Sequence, residues 1–154
     1  MANTYTQMNV QSVFAVKGRE NFIMRNFRSD LFKYISGTLK DIGQYPLAVN
    51  GTSNHVHIFF ELNPSTSVSD VLEKVKANSS KWINDMHYVP GKFRWQRGYS
   101  GFTYSRSQRD SVIRYIIEQE QHHARKTFKE EYLQMLNDFE IEYDARYIFE
   151  FYDE

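Results

Sequence analysis

The chain has 154 residues, of which 41% are hydrophobic and 25% are charged, the balance expected of one globular domain spanning residues 1–154. The absence of cysteine excludes a disulfide framework and a thiolate zinc site, and no apolar run approaches the roughly 20 residues that a membrane span needs. The formal charge is zero, but residues 127–154 hold nine acidic and two basic residues, which leaves residues 1–126 with 17 basic against 10 acidic residues. This asymmetry fits an anionic partner and fits an ordinary solvated surface with a polar tail equally well.

The first half of the chain predicts a strand, a helix and a hairpin. Residues 5–16 alternate apolar and polar side chains, as in a strand with one buried face. Apolar residues then recur at helical spacing over 31–42, up to a glycine that suits a left-handed helix cap. Two further strands, 45–49 and 54–62, are joined by a predicted turn at Asn50-Gly51. No export signal precedes the first strand, so we expect a cytoplasmic protein.

The next segment predicts a helix and a fourth strand. Ser67 can cap a helix that continues to Pro90-Gly91. Residues 92–96 then alternate as a fourth strand. Gly98 and Gly101 follow and predict a flexible stretch after that strand.

Two helices are predicted in the last third of the chain. Residues 107–110 form a capping-box pattern, so we expect a helix to begin near Gln108 and to carry Tyr115. A last helix is expected over 128–137, within an acidic helical tail formed by 127–154. The order β-α-β-β-α-β followed by helices is that of a ferredoxin-like α+β fold, an antiparallel sheet with helices on one face. The first and third strands are then central, and the second face of the sheet is expected to be open.

Two histidines alternate with apolar residues on the predicted third strand. Because side chains alternate along a strand, His55 and His57 share one face while Val56 and Ile58 point to the core. The two Cα atoms would lie about 6.6 Å apart, close enough for both imidazoles to bind one metal ion. A His-x-His pair also occurs by chance, so the motif by itself favours two solvated histidines on the face of the sheet.

A tyrosine and a glutamine lie one turn apart on the helix after the capping box. Tyr115 and Gln119 project from the same side, next to the apolar stripe of Val112 and Ile116. If this helix crosses the sheet near the third strand, Gln119 can offer a carbonyl oxygen as a third ligand and Tyr115 a phenol beside the metal. An ordinary helix explains the same spacing, because the chain has eleven tyrosines.

Together these residues resemble the single-tyrosine HUH transposases of insertion sequences, including the REP-associated tyrosine transposases. The combination of a paired-histidine strand with a later Tyr-x-x-x-Gln helix makes the resemblance specific. One departure is Asn54, where many members have an acidic residue before the first histidine. The matching segments span most of the chain in the family's order: Asn54 to Ile58, Lys92 to Gly98, Ser107-Gln108, and Val112 through Gln119 to His123.

The resemblance implies a role for each candidate residue. His55 and His57 correspond to the family's metal pair, Gln119 to its third ligand, and Tyr115 to the nucleophile that forms a 5′-phosphotyrosine. A phenol with a pKa of about 10 is a poor nucleophile at neutral pH, so a cation that screens the phosphate and stabilises the leaving oxygen is expected. Nitrogen and oxygen ligands suit Mg²⁺ or Mn²⁺. The implied reaction is DNA transposition, by cleavage and rejoining of single-stranded DNA at hairpin ends of a mobile element.

The resemblance also implies a homodimer, in which the helix of one subunit can deliver Tyr115 to the histidine pair of the other. Gly98 and Gly101, between the predicted fourth strand and the tyrosine helix, would make the required hinge. A plain turn is the alternative explanation of these glycines.

Basic residues of the body are candidate contacts to the DNA backbone, where they would position the DNA without specifying its sequence. His122 and His123 can also touch phosphate, although a solvated helix end is the simpler explanation. The candidate DNA contacts are Lys74, Lys76, Lys81, Arg94, Arg97 and Arg114.

Two other functions fit parts of the sequence. A related HUH nickase of plasmid replication or transfer would use the same chemistry, but such proteins usually carry more domains than this chain can hold. An RNA-binding module on the same fold would stack bases on sheet-face aromatic residues. The predicted open face instead carries polar side chains and histidines, which disfavours this alternative.

Overall fold

The computed structural model describes residues 3–152, and its centre is a four-stranded antiparallel sheet. The strands lie in the order β2-β3-β1-β4, with β1 at Asn9–Ala15, β2 at Tyr45–Gly51, β3 at His55–Glu61 and β4 at Phe102–Tyr104. β1 and β3 are central and pair with each other along their whole length. The predicted α+β fold with a ferredoxin-like strand order is confirmed.

Two long helices cover one face of the sheet. Alternation along β3 places Val56, Ile58 and Phe60 on this face, where they are completely buried in the main core. In the described part of the chain, no helix is long and apolar enough to cross a membrane. The helices are α1 at Arg25–Asp41, α2 at Val68–Asp85, α3 at Arg109–Ile117, α4 at Gln119–His123 and α5 at Phe128–Asp138, of which α1 and α2 form this layer.

The second face of the sheet is covered, so the expectation of an open face is wrong. α3 packs Val112 and Ile116 against Phe59 of β3. α5, which was predicted as part of an acidic tail, packs its apolar side on the sheet beside α3, and its last residue is Asp138. Burial of this apolar surface makes the C-terminal segment part of the domain. The cluster it forms contains Val13, Ala15, Phe102, Phe128, Tyr132, Leu136 and Phe149.

The predicted fourth strand at 92–96 is wrong. A single isolated bridge between Val16 and Trp95 joins this segment to the end of β1, and the true fourth strand follows it in the chain. Phe93 and Trp95 alternate because both rings pack on the α1–α2 core, edge to face with centroids 4.8 Å apart. The backbone N–H of Phe93 donates to Asn84 Oδ1 of α2 at 2.7 Å, so it is not free to extend a sheet.

The glycines predicted to form a hinge do not lie directly before the tyrosine helix, because Gly98 and Gly101 precede β4. Gly98 makes a turn with a φ of 86°. The connection from β4 to α3 is a 3₁₀ turn, Arg106–Gln108, whose capping box starts at Ser105 rather than within 107–110. The Ser105 backbone N–H donates to Gln108 Oε1 at 3.0 Å and closes this turn.

The β2–β3 hairpin turns at residues 52–54, slightly later than predicted. Gly51 still belongs to β2, and a Cβ at this position would collide with the carbonyl oxygen of His55. Asn50 has a different role from the predicted turn residue. Its Nδ2 donates to the last two carbonyl groups of α3, at 2.9 Å each, and so fastens the end of that helix to β2.

The helix that carries Tyr115 ends at Ile117 instead of continuing to Gln119. Glu118, with φ −90° and ψ 22°, separates α3 from the short α4. Tyr115 and Gln119 therefore lie on two consecutive helical segments, and both still face the histidine side of the sheet.

Candidate active site

β3 places His55 and His57 on the covered face of the sheet. Both side chains are completely buried, and their ring centroids lie 5.1 Å apart. The shared face follows from the two-residue period of the strand.

An amide oxygen holds the Nδ1 atom of each histidine. His55 Nδ1 lies 2.6 Å from Asn54 Oδ1, and His57 Nδ1 lies 2.7 Å from Gln11 Oε1. Thr52 Oγ1 donates to Asn54 Oδ1 at 3.0 Å and fixes that amide. Because an amide oxygen only accepts, each Nδ1 carries a proton, and Nε2 is the atom that faces the site.

The two Nε2 atoms converge on the carboxylate of Glu131 in α5. Glu131 Oε1 lies 3.2 Å from His57 Nε2 and 3.4 Å from His55 Nε2. Gln119 Oε1 lies 3.3 Å from His55 Nε2. His123 Nε2 lies 3.1 Å from Glu131 Oε1 and 3.1 Å from Gln119 Oε1. One strand, β3, and two helices, α4 and α5, thus bring five polar side chains to one point.

Tyr115 reaches the same carboxylate from α3. Its hydroxyl donates to Glu131 Oε2, and its ring centroid lies 6.1 Å from that of His57. Gln119 Nε2 also donates to Glu131 Oε2, at 3.2 Å. One oxygen of Glu131 therefore faces the imidazoles and the other faces the phenol.

The surroundings change the pKa of three groups in this cluster. Burial lowers the pKa of His55 to about 4, which keeps its ring neutral near neutral pH. Burial acts to raise the pKa of Glu131, but attraction to His57 and hydrogen bonds with the histidines outweigh it and hold the pKa well below its usual range. Burial, together with the charge of Glu131, raises the pKa of Tyr115 above its ordinary value. The phenol is therefore protonated in this arrangement.

The donor atoms fit a divalent cation. His55, His57 and Glu131 offer ligand atoms that all lie within 4.8 Å of one another, and no other such group occurs within residues 3–152. A neutral ring with its proton on Nδ1 presents an Nε2 lone pair to the carboxylate oxygen, so this short contact needs either a second proton on the ring or a cation between the two atoms. Imidazole nitrogen and carboxylate oxygen are ordinary ligands of divalent metals, and Gln119 Oε1 adds a further oxygen at the same place.

Glu131 was not predicted from the sequence, and His123 was interpreted as part of a solvated helix end. His123 is a nearly buried part of the cluster, and His122 stacks on Tyr115 with ring centroids 4.5 Å apart. A signal for Glu131 exists in the sequence: it lies one turn after Phe128, within the apolar stripe of α5. An acidic residue in the buried arc of an amphipathic helix needs a partner.

Four of the six candidate DNA contacts line one cavity of about 600 Å³ between α2 and residues 92–97. The cavity lies on the α1–α2 side of the sheet and is also lined by Lys92, which is not among the predicted contacts. Lys74 and Arg114 are exposed elsewhere, on α2 and α3. The four residues brought together are Lys76, Lys81, Arg94 and Arg97.

The chain matches a known protein family over most of its length. The family model described as "Transposase IS200 like" matches residues 4–119, well over half of the chain. The chain belongs to the IS200-like transposase family. The resemblance inferred from the histidine pair and the tyrosine helix is therefore confirmed. No curated protein matches this transposase.

Two solved structures share the fold of this transposase. A candidate transposase from Deinococcus radiodurans R1 has 18% identity and a TM-score of 0.59, covering 77% of this chain and 96% of that one. A REP-associated tyrosine transposase bound to a REP hairpin has 13% identity and a TM-score of 0.59, covering 80% of this chain and 73% of that one. At these identities the likeness shows the fold alone. The family match ends at Gln119, so Glu131 and His123 lie outside it.

Proposed function

We propose that this IS200-like transposase cleaves and rejoins single-stranded DNA through a covalent 5′-phosphotyrosine on Tyr115. The observation that carries the proposal is the position of Glu131. Its two oxygens join the Tyr115 hydroxyl to the paired histidines, so a nucleophile and a set of metal-type donors share one buried cluster. Family membership supports a DNA-cleaving enzyme.

The proposed metal ligands are His55, His57 and Glu131, with Gln119 Oε1 beside them. A bound Mg²⁺ or Mn²⁺ would neutralise charge on the scissile phosphate and stabilise the leaving oxygen. Nitrogen and oxygen donors suit either ion.

The residues of the chain account for the covalent step. The Tyr115 oxygen forms a bond to phosphorus, the bond from phosphorus to the 3′ oxygen breaks, and the phenol proton ends on the released 3′-hydroxyl. Glu131 Oε2 accepts the hydrogen bond of the phenol and orients its oxygen. Because one phosphodiester replaces another, the phosphotyrosine keeps the energy needed to rejoin a strand.

DNA recognition is assigned to the basic cavity beside α2. Four of the predicted basic residues meet there, and such residues bind phosphate without reading sequence. We propose that it holds the hairpin ends of a mobile element; the neighbour bound to a REP hairpin supports this substrate class. Assembly as a homodimer is proposed from the resemblance and is measured by light scattering.

The RNA-binding alternative needs an open sheet face for base stacking. α3 and α5 cover that face in this structure, which favours the transposase. No observation favours the nickase.

The test is covalent attachment to DNA. Wild-type protein incubated with a panel of single-stranded hairpin oligonucleotides and MnCl₂ should give an adduct that survives denaturing electrophoresis. Tyr115→Phe should abolish the adduct and retain DNA binding, because it removes only the phenol oxygen. Tyr99→Phe, a partly exposed tyrosine outside the site, is the control and should behave as wild type. Normal adduct yield from Tyr115→Phe, or full yield in EDTA, would refute the proposal.

A further inference from the structure

A cavity of about 470 Å³ opens beside Tyr115, between the sheet, α3 and α5. Tyr115 and the buried Glu131 both line it, so it is continuous with the proposed catalytic cluster. Its walls include aromatic side chains: Tyr104 and Phe139 meet edge to face with ring centroids 5.5 Å apart. None of the residues that line it belongs to the basic cavity beside α2.

The cavity has the size and chemistry of a small-ligand site. Its volume lies within the range of about 300–1,000 Å³ that such sites occupy. Val112 and Met135 add apolar surface to the aromatic walls. The exposed rim carries hydrogen-bonding groups and one cation, contributed by Gln108, Gln134, Asp138 and Lys126. Gln134 Nε2 donates to Asp138 Oδ1 at 2.7 Å, which orients both groups along one side of the rim.

We propose that this cavity binds one unpaired nucleobase of the single-stranded DNA, from the nucleotide next to the scissile phosphate; the assignment rests on the proposed function of Tyr115. A phosphorus atom attacked by Tyr115 must lie at the hydroxyl, and the base of the adjoining nucleotide then has to occupy neighbouring space. Tyr115 itself lines this cavity, so the cavity offers that neighbouring space.

The chemistry of the walls favours a base over other occupants. Aromatic side chains stack on any nucleobase, and the amide and carboxylate groups at the rim can pair with base edges that are free only in unpaired DNA. The ammonium group of Lys126 suits the adjoining phosphate. The cavity therefore selects single strands over duplex at the point of cleavage.

A variant that fills the cavity tests this assignment. Ser111 is exposed on α3 and lines the cavity, so Ser111→Phe should occupy the space at little cost to folding. Asp110→Phe, at the exposed neighbouring position that does not line the cavity, is the matched control. Binding of fluorescein-labelled dT8, dA8 and dC8 is measured by anisotropy in EDTA, where cleavage is blocked.

We expect Ser111→Phe to weaken binding of these probes about 5- to 100-fold, the loss expected when one stacked base is excluded. Asp110→Phe should bind as wild type. Equal affinities of Ser111→Phe and wild type would overturn the assignment, whether or not Tyr115 forms an adduct. Loss of binding in Ser111→Phe with no adduct from any oligonucleotide would support the cavity and refute the catalytic proposal.

Photo-crosslinking locates the base directly. Once the cleavage position is known, 5-iododeoxyuridine is placed on either side of the scissile phosphate and irradiated with Tyr115→Phe protein. We expect a crosslink to Tyr104, Met135 or Phe139 from one of the two positions, which also shows on which side the base lies. Crosslinks confined to other parts of the chain from both positions would overturn the assignment.

Discussion

At the scale of single residues, the orientation of the two imidazole rings determines what the site can bind. Asn54 occupies the position where the resemblance predicts an acidic residue. Its Oδ1 nevertheless accepts a hydrogen bond from His55 Nδ1 at 2.6 Å. An amide in place of a carboxylate removes a negative charge next to His55 and keeps the orientation of its ring. Gln11 does the same for His57 from the neighbouring strand. Both Nε2 atoms are therefore presented to one point without any acidic partner behind them.

Glu131 supplies the only charged oxygen of the proposed metal group. We expect Glu131→Gln to weaken Mn²⁺ binding about 10- to 100-fold, because an amide oxygen carries no charge. Gln119→Ala should cost less, since it removes a neutral ligand. Titration calorimetry with MnCl₂ measures both effects, with Glu142→Gln, an exposed carboxylate on the C-terminal segment, as the control. Unchanged affinity in Glu131→Gln would remove this carboxylate from the metal site.

The lowered pKa of His55 makes the stability of the metal-free protein depend on pH. The pKa falls from 6.5 to about 4 on folding, so the unfolded chain binds more protons between these values. The contribution of neutral His55 to the free energy of unfolding should be fully present above pH 6.5. The free energy of unfolding should fall by up to about 3 kcal/mol as the pH approaches 4. Urea unfolding in EDTA across this range measures the loss. His55→Asn should show a flatter profile, and an equally steep one would assign the dependence to other groups.

The histidine pair could be predicted from the sequence, whereas its partners across the fold could not. His55 and His57 follow from strand alternation, a local rule. Glu131 meets them only because α5 folds back over the sheet, a contact between residues 74 positions apart in the chain. His123 was predicted to be part of a solvated helix end because its burial depends on the position of α5, which the local sequence does not reveal.

At the scale of elements, α5 serves both as a cover for the sheet and as the carrier of Glu131. Its first turn holds Phe128, which stacks on His55 with centroids 3.9 Å apart, and Glu131 follows one turn later. Thr127 caps this turn: its Oγ1 accepts from the Glu130 backbone N–H at 3.1 Å. The cap therefore holds the part of α5 that completes the site.

Removing this cap should affect both stability and metal binding. Thr127→Ala is expected to cost about 1 kcal/mol of unfolding free energy and to weaken Mn²⁺ binding, because the turn that carries Glu131 frays. Ser67→Ala is the matched control, since Ser67 caps α2 on the other face of the sheet. It should cost a similar free energy and leave Mn²⁺ affinity unchanged. Equal Mn²⁺ affinities in the two variants would show that the first turn of α5 does not position a ligand.

Local sequence patterns predicted the elements correctly where the apolar residues of an element form one face and that face is buried in one core. The first three strands, the two long helices and the helix at 128–138 all have this simple relation of pattern to burial. Residues 92–96 misled the prediction because Phe93 and Trp95 alternate to pack on the end of the core, while the segment meets the end of β1 only through one bridge, between Val16 and Trp95. The true β4 is three residues long, too short for its alternation to be recognised.

At the scale of the whole molecule, the contacts of α3 bear on how the site is shared. Arg109, its first residue, binds Asn9 Oδ1 of β1 at 3.0 Å, and its last carbonyl groups accept hydrogen bonds from Asn50 of β2. Between these ends, Tyr115 donates to Glu131 of the same chain. The glycines predicted as a hinge lie on the other side of β4. One chain therefore holds its own tyrosine at its own histidine pair.

A mixing experiment tests whether the site is shared between subunits. A Tyr115→Phe chain and a His55→Ala, His57→Ala chain, each inactive by itself, are co-expressed with different tags and purified through both tags. We expect no cleavage of single-stranded DNA from the mixed assembly, because α3 is fastened at both ends to the sheet of its own chain. The positive control is the wild-type protein, co-expressed as two differently tagged chains and purified through both tags in the same way. Failure to recover any doubly tagged assembly of the two variants would mean that the chain is monomeric, which also requires each chain to use its own tyrosine. Recovered cleavage would show that α3 leaves its own sheet and that Tyr115 serves the partner's histidines, as the resemblance implied.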